Sequence, residues 1–245
     1  MSESKLLVER KQVVVPGEVI AIGMDYLPGD GTYRFEDKVL ANKLGLLMID
    51  GKVLKTLPLA GRYLPKVGDV VIGRVMDILM SGWRIDIDGP YTAVLGLKEA
   101  STKYIEKGED LTKYFGIDDY LSCGITQVTT MKLVDVTCRG TGLQKLRGGR
   151  IVKVNSTKVP RIIGKKGSMV SMIKNYTGCM IVVGQNGLIW VKGEPQSEIV
   201  ATNILKKIEK ESHMAGLTER IEETLKQMTG KSEQVNQNDE LHTEN

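Results

Sequence analysis

Histidine is nearly missing from this chain: there are 2, His213 and His242, well separated in sequence. Acid–base chemistry by paired histidines is therefore excluded. Carboxylates are not scarce, but a two-metal hydrolase needs them clustered. The most suggestive pair, Asp86 and Asp88, alternates with apolar residues, as the wet face of a strand does. The expectation is a protein that is not an enzyme and carries no metal or cofactor. Cys123, Cys138 and Cys179 form an odd set without CxxC spacing, so neither a disulfide framework nor a zinc site is indicated. Buried free thiols in a reducing compartment fit better. The start of the chain has no secretory pattern and no apolar run approaches a membrane span, so a cytoplasmic protein without a membrane partner is expected.

The most informative absence is local. No acidic residue occurs between Asp135 and Glu194, while lysine and arginine recur throughout, from Arg139 to Lys192. The net charge of +4 conceals this segregation. A solvated basic face would normally be interspersed with acids, so an all-basic stretch is the electrostatic footprint of a polyanion.

Within that stretch, Lys158 to Gly178 holds two helical patterns that meet at Gly164-Lys165-Lys166-Gly167. Pro160 suits a first helical turn, and Gly164 ends that helix where a side chain would clash. Ser168 is expected to cap the second helix, whose apolar face is Met169, Met172, Ile173 and Tyr176, with Gly178 as its stop. Glycines bracketing lysines let this backbone approach another backbone, and the helix start offers N–H groups and a positive dipole end to phosphate. The G-x-x-x-x-G-K-[ST] spacing of an NTPase loop is not matched. Around the turn lie a strand near Arg150–Asn155, a strand at Cys179–Val183, an Asn186-Gly187 hairpin signal and a strand at Leu188–Lys192. A helix bearing Ala201, Ile204, Leu205 and Ile208 on one face follows. This β-α-α-β-β-α order and its turn resemble a KH domain, whose GxxG loop clamps about four nucleotides of RNA by their backbone. The resemblance nominates Arg161, Gly164, Lys165, Lys166, Gly167 and Ser168 as RNA contacts.

With 245 residues there is room for two or three small domains. Residues 1–63 read as a small β domain: a polar, frayed start to about Arg10, strand character over Lys11–Ala21 broken at Pro16-Gly17, and a glycine-rich loop from Leu27 to Tyr33. Further short strands follow, two of them joined by an Asp50-Gly51 turn. Residues 64–145 supply five strand patterns with a polar insertion after the third, which fits an OB-type barrel. The runs G-D-V-V-I-G-R-V, G-W-R-I-D-I and A-V-L-G-L-K-E-A resemble the RNA-binding barrel of the ribosomal S-one type. Such barrels stack bases on exposed aromatics beside cations, nominating Trp83, Tyr91, Arg74 and Arg84. A tryptophan on a barrel strand is either platform or plug, and Arg84, two residues before Asp86, has a salt bridge as its alternative. Residues 146–229 hold the KH pattern and a last amphipathic helix with Leu217, Ile221, Leu225 and Met228. Residues 230–245 are polar and mildly acidic and read as a disordered tail.

The expected fold class is thus mixed β and α+β, multidomain: N-terminal β domain, OB barrel, KH domain. That order, with V-P-G-E-V-I early and V-P-R-I-I-G-K-K-G late, resembles the RNA-binding cap subunits of the archaeal exosome, the ribosomal-RNA-processing protein 4 type. The resemblance implies a non-catalytic subunit present in three copies on a hexameric ring of RNase PH-like subunits. Such a cap captures single-stranded RNA for phosphorolytic degradation and processing by that ring, which its N-terminal domain grips. The alternative is a stand-alone RNA-binding regulator of transcription or translation.

Overall fold

In the computed structural model, which describes residues 4–59, 61–101, 105–106, 108–214 and 216–229, the chain divides between Gly61 and Arg62 into two units. The first contains β1 (Lys5–Leu6), β2 (Val13–Val14), β3 (Val19–Ile22), β4 (Leu27–Pro28), β5 (Thr32–Phe35), β6 (Lys38–Ala41), β7 (Gly45–Asp50) and β8 (Val53–Pro58). They form two four-stranded sheets, ordered β1-β3-β6-β5 and β2-β7-β8-β4. Pro16-Gly17, with Gly17 at φ 87°, moves the chain from one sheet to the other, because proline cannot extend a ladder and glycine accepts the left-handed turn. Val14, Ile20, Val39, Leu47 and Leu54 are buried in one core supplied by both sheets.

Two expectations are corrected here. The start of the chain is not frayed over its described part: Lys5 and Leu6 pair with Ile22 and Ala21, and Val8 is buried. The Leu27–Tyr33 stretch is not merely loop. It contributes β4 and β5, and the buried Thr32 hydroxyl donates to the Leu54 carbonyl at 2.9 Å. The residues proposed as a disordered tail, 230–245, lie outside the described residues.

The second unit opens with β9 (Val70–Leu79), β10 (Gly82–Asp86), β11 (Thr92–Gly96), the short helix α1 (Leu97–Ala100), β12 (Tyr120–Val128) and β13 (Val134–Thr137). Their order β13-β11-β10-β9-β12, closed by a β12–β13 pairing, is a five-stranded barrel with β11 and β13 parallel. Inward positions alternate along each strand, placing Val71, Val75, Trp83, Ile85, Ala93, Leu95, Leu121, Cys123 and Val136 in its core. A bulge between Arg84 and Ile85, opposite Asp77 and Val75, bends the long first strand.

The chain then runs through β14 (Lys145–Leu146), which pairs with β12, and enters β15 (Arg150–Lys153), α2 (Val159–Ile163), α3 (Ser168–Thr177), β16 (Met180–Val183), β17 (Leu188–Lys192), α4 (Pro195–Glu211) and α5 (Leu217–Thr229). The sheet β15-β17-β16 is buried on both faces. Val152, Ile181, Ile189 and Val191 meet the helices, through Ile162, Ile173, Ile204, Ile221 and Leu225 among others. Ile151, Val182, Leu188 and Trp190 point the other way and pack with Ile72 and Tyr120 of the barrel and with Leu146. Met228, counted with the apolar face of α5, is 46% exposed.

Candidate nucleic-acid interface

The turn between α2 and α3 is built on backbone that side chains resist. Val159 and Ile162 anchor α2 in the core, with Pro160 in its first turn. Gly164 leaves the helix at φ 76°, ψ 177°, a region essentially reserved for glycine. A Cβ there would lie 2.8 Å from both the Cβ and the N of Met169. Lys166 follows at φ 53°, ψ 29° and Gly167 at φ 82°, so three of these four residues have positive φ. The turn is closed by hydrogen bonds from Gly164 N–H to the Pro160 carbonyl (3.0 Å) and from Gly167 N–H to the Gly164 carbonyl (3.3 Å).

This geometry leaves Lys165 and Lys166 exposed, together with Arg161. No ion pair joins any of the three to another described residue. Three other cations of the same basic stretch are engaged: Lys145 with Asp119, Arg150 with Glu198 at 3.5 Å, Lys153 with Asp88 at 2.7 Å. Uncompensated cations beside a helix start are what a phosphate requires. Ser168 needs correction. It is the first residue of α3, already helical at φ −56°, while the cap position belongs to left-handed Gly167 and carries no side-chain cap bond. The Ser168 N–H donates to the Lys165 carbonyl, and its exposed side chain, spent on no cap bond, faces the lysine turn's solvent side.

The barrel candidates fare differently. Trp83 is fully buried, its Nε1–H donating to the Phe115 carbonyl at 3.0 Å and its ring edge-on to Phe115 at 5.1 Å. It is a core plug and cannot stack on RNA. Strand alternation is the reason: Trp83 shares its parity with Ile85, and Arg84 faces the other way. Tyr91 is half-buried against the same core. Arg74 is bridged to Asp86 (3.8 Å) and Asp118 (3.4 Å). Arg84, exposed and in register with Asp77 and Val94, is in no ion pair with a described residue. Asp86 and Asp88 are both held by cations, and burial pushes the Cys123 and Cys138 thiols upward, Cys138 to about 12.

The family model described as RRP4, S1 domain matches residues 62–127, and a KH domain model matches 149–197. The exosome complex component Rrp4 of Methanothermobacter thermautotrophicus is 43% identical over 92% of this chain and 71% of its own length. The chain belongs to the Rrp4 family of exosome complex components. The Pyrococcus furiosus member is 39% identical over 90% of this chain and 85% of its own. A crystal structure described as an exosome complex RNA-binding protein superposes with a TM-score of 0.63 at 30% identity, covering 69% of this chain and 97% of that one.

In this Rrp4-family chain the glycine spacing of the lysine turn recurs at Gly184-Gln185-Asn186-Gly187, and the structure separates the two. The second turn is buried against the barrel. Asn186, 3% exposed, donates from Nδ2 to the carbonyls of Ile72 (2.7 Å) and Ile87 (2.8 Å) and accepts at Oδ1 from Ile72 N–H (3.2 Å). Gln185 N–H donates to the Val70 carbonyl at 2.8 Å. A Cβ on Gly184 would fall 2.8 Å from Ile72 N. The Asn-Gly pair is thus not a free two-residue hairpin turn but half of a four-residue loop that locks the KH sheet to the barrel. Its distinguishing residue, an amide in place of a lysine, is visible in the sequence. Its partners are not.

Proposed function

We infer that this chain is the RNA-binding cap component of an exosome, holding single-stranded RNA chiefly at Gly164–Ser168. The observation that carries this reading is the exposed lysine turn with no acidic partner, in a chain whose relatives are named exosome complex components. Clamping there is by backbone, so affinity for many sequences is expected. Arg84 extends the cationic surface on the barrel, while Arg74 and Tyr91 serve as secondary contacts at most, being engaged or half-buried.

Exoribonuclease activity resides, on this reading, in other chains, a hexameric ring of RNase PH-like subunits carrying three caps in the cytoplasm. No helix among the described residues is long and apolar enough to cross a membrane. The unit before Arg62 is assigned to the ring contact. Its support is an apolar row across one sheet: Val13 pairs with Leu46, and Leu46 with Leu57, leaving Val13 49% and Leu57 55% exposed. A chain starting at Arg62 should bind short RNA and fail to co-migrate with a ring assembled from its own exosome subunits. Co-migration equal to that of the full chain would refute the assignment.

A further inference from the structure

A cleft of about 370 Å³ opens at the seam between the barrel and the KH sheet. That volume falls within the roughly 300–1,000 Å³ of small-molecule sites. Tyr120, Ile151 and Trp190 line it, Gly148 and Gly149 lie at its mouth, and the carboxylates of Asp118 and Asp119 edge it. The two glycines are exposed and left-handed, at φ 67° and 71°, within the run Arg147-Gly148-Gly149-Arg150. A Cβ on Gly149 would lie 2.4 Å from the Val191 carbonyl, so the mouth is bare backbone. Lys192 reaches it, with Cε 3.9 Å from where a Gly148 Cβ would be. Arg147 is exposed and, like Lys192, in no ion pair with a described residue.

Lys192 and Arg147 flank the Gly148–Gly149 side, while Asp118 and Asp119 belong to the lining itself. Gly116 N–H (2.6 Å) and Lys145 Nζ both bond Oδ2 of Asp119, which fixes that carboxylate while Oδ1 takes neither. Asp118, at φ 66°, is 3.4 Å from Arg74. The Trp190 Nε1–H is committed to the Gly148 carbonyl at 2.7 Å and the residue is 5% exposed, so the indole borders the cleft by an edge and serves as its reporter rather than as a stacking face.

We propose that this cleft seats one unstacked base of single-stranded RNA, adenine, cytosine or guanine in preference to uracil, with the adjoining phosphate on Arg147 and Lys192. Half-buried Tyr120 and Ile151 take the ring, and the carboxylates accept N–H from an exocyclic amino group. Uracil has no amino group, and its one donor on that edge, N3–H, is flanked by two carbonyl oxygens that the carboxylates repel. The proposal rests on RNA being the ligand but not on the lysine turn as its holder.

The test uses the full chain, short homopolymers of adenosine, cytidine and uridine, and intrinsic tryptophan emission. The chain has 2 tryptophans, Trp83 fully buried in the barrel and Trp190 in the cleft wall, so Trp190→Phe identifies the reporter. Adenosine and cytidine polymers should quench Trp190 at saturation, with uridine quenching less. Asp118→Asn should reduce that preference, since asparagine tolerates the left-handed backbone and keeps an acceptor but loses the charge. Arg147→Ala should weaken every homopolymer about fivefold, as for a partly solvated charge contact. Emission unchanged at saturating RNA, or a base preference undiminished by Asp118→Asn, overturns the proposal. Quenching that persists at saturation when Lys165 and Lys166 are both changed to Asp supports the cleft as a separate site. Affinity lost in that double variant with Trp190 silent throughout leaves the lysine turn standing and removes the cleft. A wild-type chain that binds no RNA removes both.

Discussion

Changing Asn186 to aspartate alters the seam with almost no change in shape. The amide's two donors reach the Ile72 and Ile87 carbonyls at 2.7 and 2.8 Å in a position 3% exposed. Aspartate has no donor for them when ionised, and only one when protonated. Each buried acceptor left without a partner costs about 1–3 kcal/mol. The ionised form adds the penalty of an unpaired buried charge, so protonation sets the lower bound. The expected loss is therefore about 2–5 kcal/mol, against roughly 5–15 kcal/mol for a whole domain. Urea titration followed by helical circular dichroism reports the KH side, where the long helices α3, α4 and α5 reside. Barrel unfolding is followed by Trp83 emission in a Trp190→Phe background. The wild-type transitions should coincide, and Asn186→Asp should move the helical transition to lower urea, ahead of the barrel. Coincident transitions with a loss under about 0.5 kcal/mol would refute the claim that this amide locks the seam.

Two further outcomes are expected. Trp83→Phe, which deletes the bond to the Phe115 carbonyl, should destabilise by about 1–3 kcal/mol and leave RNA affinity unchanged; an affinity loss of about tenfold with an intact circular-dichroism spectrum would return this residue to the RNA surface. Gly164→Ala must place a Cβ 2.8 Å from the Met169 backbone at a glycine-only φ and ψ, so calorimetry should register about 1–3 kcal/mol of lost stability, and an unchanged melting temperature would mean the turn is more relaxed than described.

The KH half was legible because several local signals agree there: Pro160 and Gly178 punctuate helices whose apolar spacing fills the core through Met169, Ile173 and Tyr176. The barrel strands were legible by alternation, and the same alternation contained the answer for Trp83, which shares a face with Ile85 and Ile87. Weighing the aromatic by its chemistry rather than its parity kept it as a candidate contact. The N-terminal unit was read less fully. Two-residue strands such as β1, β2 and β4 carry too few positions to show a period, and their pairing is decided by long-range partners. Asn186 illustrates the same limit: its partners Ile72 and Ile87 lie 114 and 99 residues away, beyond any local pattern. The uncompensated charge of Lys165 and Lys166 was half visible, since the lack of acids nearby in sequence did not reveal that Lys145 finds Asp119 beside the neighbouring strand and Lys153 finds Asp88 across the seam.

The measurement closest to the central claim is the salt dependence of RNA binding after Lys165 and Lys166 are both changed to Asp. The turn is exposed, and its glycines remain. Position 166, at φ 53°, suits aspartate, which is enriched in left-handed backbone, so the fold should persist. Each phosphate contact on a single strand contributes about 0.7 to the log–log slope. Two lost contacts should therefore flatten the slope by about 1.4 units and weaken binding to a similar extent across sequences. An unchanged slope and affinity, with the circular-dichroism spectrum intact, would contradict the account and place the RNA elsewhere on the protein.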